Sequence, residues 1–394
     1  MTPRSSLWEP LIAGPAVKQP GDAASDARPT LTIDLAAIVE NWRELARLAR
    51  PAEAAAAVKA DAYGLGMARV APALAAAGAR TFFVATLEEG IALRALLSAT
   101  DIYVLNGVWP AGVEEMLRWD LRPCLNSLDQ IAWWKEAGAD RPAAIHIDTG
   151  INRLGLGPDE VERLTREPGR LAGMAPALVM SHLACGDEAN HPLNRIQLAR
   201  FHASTAALGL GDKPLSLSAS SGIFLGPDFR FDLVRPGAAL YGLSPLINHP
   251  NSMRQVLRLE AKIIQTRRVD RGMTVGYGAA RAIERPGRIA IVGLGYGDGL
   301  PRSLADRGYA VLGGERIPVV GRVSMDLIAL DVSATPPGLA QPGAVVELIG
   351  AHHSVEELAS EAGTNGYEML TALGRRYRRI YLDPDSGNAA QSVK

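Results

Sequence analysis

Hydrophobic and polar positions follow two alternating patterns from Thr30 onward. Short runs rich in Ala, Val and Ile have no polar face and predict strands buried on both sides, at 54–59, 81–85, 101–106, 121–126, 143–148, 177–183, 215–220 and 231–236. The segments between them carry apolar residues at helical spacing, most clearly at 36–49, 87–97, 109–119 and 195–208. Eight strands alternating with helices predict an α/β protein with a (β/α)8 barrel. An open, doubly wound sheet is the alternative, although no GxGxxG follows the first strand.

The pattern changes after about Arg258. Strand-like runs are then joined by turns containing Gly and Pro, with "GGER" at 313–316 as a hairpin turn and short helices near 354–363 and 365–373. We therefore expect a flexible leader at 1–29, a barrel domain at 30–257, a mostly-β domain at 258–384 and a flexible tail at 385–394.

Charge and cysteine content narrow the class of partner. Lys plus Arg number 41 and Asp plus Glu number 42, so no strong field attracts nucleic acid or an anionic membrane, and a small molecule is the expected partner. The two cysteines form no disulfide framework and fit a reducing compartment. No apolar run has the length of a signal peptide or a bilayer span, so we expect a cytoplasmic protein.

Polar residues gather where the predicted barrel strands end, which is the face that carries active sites in such barrels. These residues are Lys59, Arg153, His182, Ser220, Ser221 and Arg235. A lysine at an apolar barrel mouth loses hydration, so its pKa falls and its neutral, nucleophilic form becomes accessible. The alternative for Lys59 is a rim lysine whose ammonium stays in water.

Eight motifs resemble, in order, those of alanine racemases, which depend on pyridoxal 5'-phosphate. "AVKADAYGLG" (57–66) is similar to the family's cofactor-attachment motif, and the resemblance runs from about Thr30 to Leu382. The other seven are "IDTGINRLG" (147–155), "SHLACGDE" (181–188), "RPGAALYG" (235–242), "VGYGAA" (275–280), "LGYGDGLPR" (294–302), "GRVSMDL" (321–327) and "NGYEMLTALGRRYRRIY" (365–381).

The resemblance implies interconversion of L- and D-alanine by two proton-transfer bases, supplying D-alanine for peptidoglycan. Lys59 would hold the cofactor covalently and act as one base, and Tyr277 of a second protomer would act as the other on the opposite face. The protein would then be a homodimer with shared active sites. A phenol has an ordinary pKa of about 10, so this role requires nearby positive charge at Tyr277. A strand tyrosine bonded to backbone is the alternative.

The resemblance also implies the binding residues. Arg235 would face the pyridine nitrogen, and because a guanidinium is a poor proton donor it would leave the ring a weaker electron sink and limit side reactions. His182 would orient Arg235. The phosphate would be held by Tyr63, Ser221, Gly237, Ala238 and Tyr367. The substrate would be bound by Arg153, Met325, Asp326 and Tyr296, the last forming a narrow pocket with Tyr367 that favours alanine over larger amino acids.

Two positions depart from the family pattern. Many relatives have a carbamylated lysine at position 146, and it holds the carboxylate-binding arginine in place. This sequence has His146 instead. Arg153 would then be oriented by an anion such as chloride, by a histidine contact or by water. Ser220 stands where relatives often have asparagine.

Three other interpretations are weaker. The "HLACGDEANH" stretch (182–191) contains possible metal ligands, but its spacing fits no standard zinc pattern, so we expect no metal. A decarboxylase of basic amino acids shares this architecture but places an acidic residue at the position of Arg235. A single-barrel protein that carries pyridoxal phosphate lacks a β domain.

Overall fold

The computed structural model describes residues 28–138 and 140–383. The flexible leader and tail expected at the two ends therefore lie outside the described residues, except for 28–29. The described chain begins with β1 (Thr30–Asp34) and α1 (Leu35–Ala49). Helix α1 confirms the prediction at 36–49 and begins at an N-cap, since Asp34 accepts a 2.9 Å hydrogen bond from the Ala37 amide.

The predicted barrel is present. Its strands are β2 (Glu53–Ala54), β3 (Ala56–Ala57), β4 (Thr81–Val84), β5 (Asp101–Val104), β6 (Arg122–Leu125), β7 (Pro142–His146), β8 (Ala175–Met180), β9 (Leu215–Ser216) and β10 (Leu233–Val234). Strands β3 to β9 pair in sequence order, and each neighbouring pair is parallel. Strand β10 pairs with β2, and a bridge from Ala219 to Arg235 joins the last two strand positions, so the sheet closes. The first strand, predicted at 54–59, is therefore observed as two short strands. Strand β2 pairs with β10, at the eighth strand position, and β3 pairs with β4, at the second.

The barrel helices lie between these strands. They are α2 (Lys59–Tyr63, a single left-handed turn), α3 (Met67–Ala77), α4 (Leu87–Leu96), α5 (Val113–Arg118), α6 (Leu128–Gly138), α7 (Pro158–Arg166) and α8 (Pro192–Ala207). The predicted helices at 87–97 and 195–208 are confirmed by α4 and α8. The one at 109–119 consists of a 3-10 turn (Pro110–Gly112) followed by α5. Short 3-10 turns follow β9 and β10, at Ser221–Leu225, Pro227–Phe229 and Ala238–Tyr241.

The C-terminal third of the chain is mostly β, as predicted. Its strands are β11 (Leu257–Val269), β12 (Thr274–Val275), β13 (Arg281–Ala282), β14 (Gly287–Val292), β15 (Tyr309–Leu312), β16 (Glu315–Pro318), β17 (Ile328–Asp331), β18 (Val345–Ile349) and β19 (Arg378–Leu382). The two predicted helices are α9 (Val355–Ala362) and α10 (Gly366–Thr371). The "GGER" hairpin is also present: Leu312 pairs with Glu315, and both Gly313 and Gly314 have positive φ, as a two-residue hairpin turn requires.

Strand β1 belongs to the C-terminal sheet and not to the barrel, which corrects the expected start of the barrel domain at residue 30. The sheet has the order β16-β15-β18-β11-β1-β19, with β14 on β11 and β17 on β14. Strand β1 lies between β11, antiparallel, and β19, parallel. Both edges of β1 are therefore paired, and Leu31 and Ile33 are fully buried in the core. The chain thus enters the β domain first, crosses to the barrel through α1, and returns at β11.

Within the described ranges, no helix is long and apolar enough to cross a bilayer.

Candidate active site

A cavity of about 870 Å³ opens at the C-terminal ends of the barrel strands. It brings together nine of the residues selected from the sequence: Lys59, Tyr63, Arg153, His182, Ser221, Arg235, Gly237, Ala238 and Tyr367. Eight of these come from the barrel, and Tyr367 comes from α10 of the β domain. Strand ends from distant parts of the sequence thus meet at one site, as the barrel prediction required.

The other four residues lie outside this cavity, on the β domain. Tyr277 is 72% exposed, Met325 53% and Tyr296 39%, and Asp326 is also exposed. The Tyr296 amide donates to the Ser324 carbonyl at 2.9 Å, so the 296 turn and the 324–326 loop form one surface. A single chain therefore does not bring Tyr277 to Lys59.

Lys59 lies at the barrel mouth, just after β3. Burial is the main cause that lowers the pKa of its amine, and the positive charge of Arg153 lowers it further, while Glu89 opposes the shift. Both causes favour the neutral amine, the nucleophilic form.

The backbone after Lys59 is a left-handed turn. Residues 60–63 all have φ between 52° and 54°, a region that non-glycine residues rarely adopt. The carboxylate of Glu89 accepts hydrogen bonds from the amides of Ala60 and Ala85, both at 2.7 Å, and Asp61 accepts one from Met67 at 2.7 Å. These bonds hold the turn in its strained conformation and place Tyr63 over the cavity.

Three tyrosine rings pack together beside the cavity, and two of them, Tyr63 and Tyr367, line it. Tyr63 stacks on Tyr241 with ring centroids 4.6 Å apart and contacts Tyr367 at 6.4 Å. The Tyr241 hydroxyl donates to the Ala57 carbonyl at 2.9 Å, which fixes the stack to the barrel strand before Lys59. Tyr241 was not selected from the sequence, although it lies within the "RPGAALYG" motif.

The Tyr63 phenol lies directly against Gly237. A Cβ added to Gly237 would come within 2.5 Å of the Tyr63 hydroxyl oxygen and 3.3 Å of the Ala57 Cβ. Only glycine at position 237 leaves room for the phenol of Tyr63. The Tyr63 hydroxyl, a hydrogen-bond donor, therefore lies next to the start of the 238–241 turn.

Ser220 organises the donors next to that phenol. Its hydroxyl accepts hydrogen bonds from the amides of Gly237 at 3.0 Å and Ala239 at 3.2 Å. Among the described residues the Ala238 amide has no acceptor, and Ser221 lines the cavity with its hydroxyl unbonded. Ala238, Ser221 and Tyr63 therefore offer donors to an anion, whereas the Gly237 amide is already bonded.

Arg235 is buried, and no carboxylate of the described residues pairs with its positive charge. Its guanidinium donates to the Ser181 carbonyl at 2.6 Å and to the Ser216 hydroxyl at 2.5 Å. Burial lowers its pKa to about 10, so it remains protonated at neutral pH. Neither serine was selected from the sequence, and only contacts across the barrel could have identified them.

His182 is neutral beside Arg235. Burial holds the pKa of His182 well below its usual value, and the positive charge of Arg235 adds to the effect. No hydrogen bond joins the two side chains in the described structure. The hydrogen bonds to the two serine residues hold Arg235, and the predicted part of His182 in orienting it stays a prediction.

Arg153 projects from a tightly folded loop. One carboxylate oxygen of Asp148 accepts hydrogen bonds from the amides of residues 150, 151 and 152, at 2.8, 3.0 and 3.2 Å. Leu156 then pairs with the strand end, since its amide donates to the His146 carbonyl at 2.8 Å. Asp148 fixes the loop, and the guanidinium of Arg153 is exposed at the cavity.

These groups fit pyridoxal 5'-phosphate. A lysine of lowered pKa suits its aldehyde, a buried guanidinium suits a pyridine nitrogen, and the donors around Gly237 suit its phosphate. No group of three or more His, Cys, Asp or Glu in the described part of the chain is placed to hold a metal ion.

Comparison with known proteins identifies the family. Residues 33–245 match the alanine racemase N-terminal domain and residues 256–381 match the alanine racemase C-terminal domain. An alanine racemase of Rhodospirillum rubrum is 50% identical over 358 residues, covering 89% of this chain and 95% of that protein. A catabolic alanine racemase of Agrobacterium fabrum is 48% identical, covering 94% and 96%.

A solved structure agrees with these relatives. The alanine racemase of Bartonella henselae, with covalently bound pyridoxal phosphate, superimposes with a TM-score of 0.87 at 41% identity, covering 91% of this chain and all of that one. Both domains match, so the decarboxylase and single-barrel alternatives are set aside. The chain belongs to the alanine racemase family, whose members are isomerases that depend on pyridoxal 5'-phosphate.

Proposed function

We propose that this chain interconverts L- and D-alanine by two proton carriers on opposite faces of the substrate, Lys59 of one protomer and the partner subunit's Tyr277. The observation that carries the proposal is the separation within one chain. Lys59 lines the cavity, whereas Tyr277 is 72% exposed on the β domain and contributes nothing to its own cavity. A second copy of the chain is the simplest source of the missing phenol.

Each carrier has a suitable environment. Burial lowers the pKa of Lys59, which makes its neutral amine more accessible for taking a proton from the substrate α-carbon. Tyr277 precedes Gly278, and a Cβ on Gly278 would lie 3.1 Å from a terminal nitrogen of Arg322. The guanidinium of Arg322 therefore lies beside the residue that follows Tyr277.

The cofactor supplies, when bound, a ring that takes up the electron pair of the α-carbon. Lys59 would attach it, the donors around Gly237 would hold its phosphate, and Arg235 would lie at its nitrogen. Because Arg235 stays protonated, it has no readily released proton to give to that nitrogen. This would restrict the chain to racemisation and limit transamination.

The substrate would be bound from both protomers. Arg153 would bind its carboxylate with paired donors, assisted by Met325 and Asp326 of the partner. Tyr296 of the partner and Tyr367 would narrow the space beyond a methyl group. Each additional methylene costs only about 1–3 kcal/mol of discrimination, so we expect slow turnover of serine.

Hybrid dimers test the shared site. Lys59→Ala and Tyr277→Phe should each abolish racemisation, and mixing them should restore one intact site per hybrid dimer, about a quarter of wild-type activity at random pairing. Lys59→Ala mixed with Arg153→Ala is the control, because both residues belong to the same cavity and no site is restored. Activity that stays absent in the first mixture would refute the shared site.

We propose further that the enzyme acts in the cytoplasm and supplies D-alanine for peptidoglycan. The competing role is the breakdown of alanine, because one similar protein is named as a catabolic alanine racemase. Deletion of the gene distinguishes the two. A supply role predicts that the deleted strain requires D-alanine for growth, and a catabolic role predicts instead that it fails only when alanine is the carbon source.

A further inference from the structure

His146 lines the cavity and has one ring nitrogen with a hydrogen-bond partner and one without. Its Nδ1 lies 2.7 Å from Oδ1 of Asn126, and the residue is 7% exposed. Its Nε2 is buried and has no hydrogen-bond partner within the described structure. A buried polar atom without a partner is rare in a folded protein and calls for a physical reason.

The hydrogen bonds of Asn126 fix the tautomer of His146. The Asn126 amide nitrogen donates to two backbone carbonyls, of Cys124 at 2.8 Å and Leu105 at 3.0 Å. The amide oxygen must therefore face His146, and since it only accepts, Nδ1 must carry the proton. The charged groups that face the ring are Arg235, Asp148 and Arg153, and burial with the two arginines lowers the pKa of His146 to about 3. The imidazole is neutral, so Nε2 carries a lone pair.

A buried lone pair requires a hydrogen-bond donor. Chloride, or any other anion, would meet Nε2 without a proton and would be repelled. This removes one of the possibilities left open by the sequence, in which an anion bridges His146 and Arg153.

Arg153 is a donor close enough to this imidazole that its charge lowers the pKa of His146. Its loop folds back onto the imidazole: a Cβ added to Gly155 would lie 3.2 Å from Cδ2 of His146, the carbon bonded to Nε2. Arg153 is two residues before Gly155 and lines the same cavity. Its guanidinium has no partner among the described residues, and it has five N–H groups, more than one carboxylate can use.

We propose that His146 is a positioning residue that accepts a hydrogen bond from the Arg153 guanidinium through Nε2 while Arg153 binds the substrate carboxylate. This rests on the proposed role of Arg153. The neutral imidazole holds the arginine by accepting this hydrogen bond, with no anion between the two side chains. Alanine binding is therefore independent of chloride and of carbon dioxide.

The first test separates KM from kcat in the holoenzyme. His146→Leu removes the acceptor at similar size and should raise KM for alanine roughly 10- to 100-fold while kcat stays within about 3-fold. His146→Gln retains an acceptor and should stay within about 5-fold of wild type. A KM for His146→Leu within 2-fold of wild type would overturn the proposal. A wild-type protein that racemises no alanine would instead overturn the proposed function.

The second test observes the nitrogen directly. In protein with 15N-labelled histidine, the His146 resonance is identified by its loss in His146→Gln, and its Nε2 should be unprotonated from pH 5 to 8. Saturating alanine should shift this resonance in wild type but not in Arg153→Ala. A protonated Nε2 at pH 7, or an equal shift in the variant, would contradict the hydrogen bond.

The third test requires no variant. Replacing chloride by gluconate at constant ionic strength should leave KM unchanged in wild type. A saturable decrease in KM as chloride is added would show that an anion, and not the lone pair of His146, holds Arg153.

Discussion

The guanidinium of Arg376 binds both carboxylate oxygens of Asp298, at 2.8 and 2.9 Å. Asp298 is 3% exposed and also accepts from the Gly295 amide at 2.9 Å, which fixes the turn that carries Tyr296. The remaining arginine nitrogen donates to Asp326 at 2.6 Å. One arginine beyond α10 thus ties together the two loops that would enter the partner's active site.

Loss of the hydrogen bonds from Arg376 to Asp298 and Asp326 should raise KM for alanine more than it lowers kcat. We expect Arg376→Gln to raise KM for alanine roughly 5- to 50-fold, since the 324–326 loop loses charged hydrogen bonds. Arg375→Gln is the matched control, because its exposed neighbouring side chain makes none of these bonds. Steady-state kinetics at several alanine concentrations measures both parameters. Equal KM values for the two variants would show that the Arg376 hydrogen bonds do not position the 324–326 loop.

Cofactor affinity should depend on Gly237. In Gly237→Ala the new methyl group would lie 2.5 Å from the Tyr63 hydroxyl oxygen, so the phenol must move away from the phosphate donors. We expect the Kd for pyridoxal 5'-phosphate to rise roughly 10-fold or more. Gly338→Ala is the control, since nothing lies within 4 Å of its Cβ. Titration of cofactor-free protein, followed by absorbance, gives both constants, and unchanged affinity in Gly237→Ala would place the phosphate elsewhere.

The reactivity of Lys59 should depend on the charge of Arg153. The arginine helps to lower the pKa of Lys59, so Arg153→Ala should shift the midpoint of Lys59 acetylation to higher pH. Arg153→Lys keeps the charge and should leave the midpoint near that of wild type. Mass spectrometry of cofactor-free protein acetylated across a pH series measures it. A midpoint that is the same in all three proteins would show that burial alone lowers the pKa.

A buried pair in the β domain should make stability depend on pH. Nε2 of His353 lies 3.3 Å from a carboxylate oxygen of Glu361, and burial raises the pKa of Glu361 to about 7 while lowering that of His353 to about 4. Tyr309 stacks on the imidazole, and the guanidinium of Arg316 lies over Tyr309, 4.4 Å from the ring centroid. The carboxylate of Glu357 also acts on both groups.

The signs of the two contributions are opposite. The raised pKa of Glu361 gives stability that is present below about 4.5 and lost as pH rises through 7, and the lowered pKa of His353 gives stability that is present above about 6.5 and lost as pH falls through 4. In Glu361→Gln only the contribution of His353 to stability remains. The Tm of the variant minus that of wild type should therefore increase from pH 5 to pH 8. The exposed Glu114→Gln should show no such trend. Thermal unfolding at both pH values decides, and a constant difference would contradict the assigned shift.

Much of the fold follows from local pattern. The apolar runs predicted all the barrel strand positions, because strands covered on both faces leave a continuous hydrophobic signal. Helix α1 and the "GGER" turn were also predicted, since caps and positive-φ glycines are encoded by neighbouring residues. The observed strands are shorter than the runs, as at β9 (Leu215–Ser216) and β10 (Leu233–Val234), because the ends of these runs turn into the loops of the site.

The contacts that adjust the site were not predictable in this way. Ser216 and Ser181 bind Arg235 from other strands, Tyr241 supports Tyr63, and Asn126 sets the tautomer of His146. Each pair is separated by many residues, and nothing in the local pattern marks one serine or tyrosine among many as the partner.

The sequence by itself determined the barrel, the β domain, and the polar residues at the strand ends, because side-chain periodicity and motif chemistry are properties of short segments. Only the tertiary structure decided that β1 lies between β11 and β19, that Tyr63 faces Gly237, and that one ring nitrogen of His146 is buried without a partner among the described residues. Those facts depend on which distant segments are brought within hydrogen-bonding distance, and closure of the barrel and the sheet sets that.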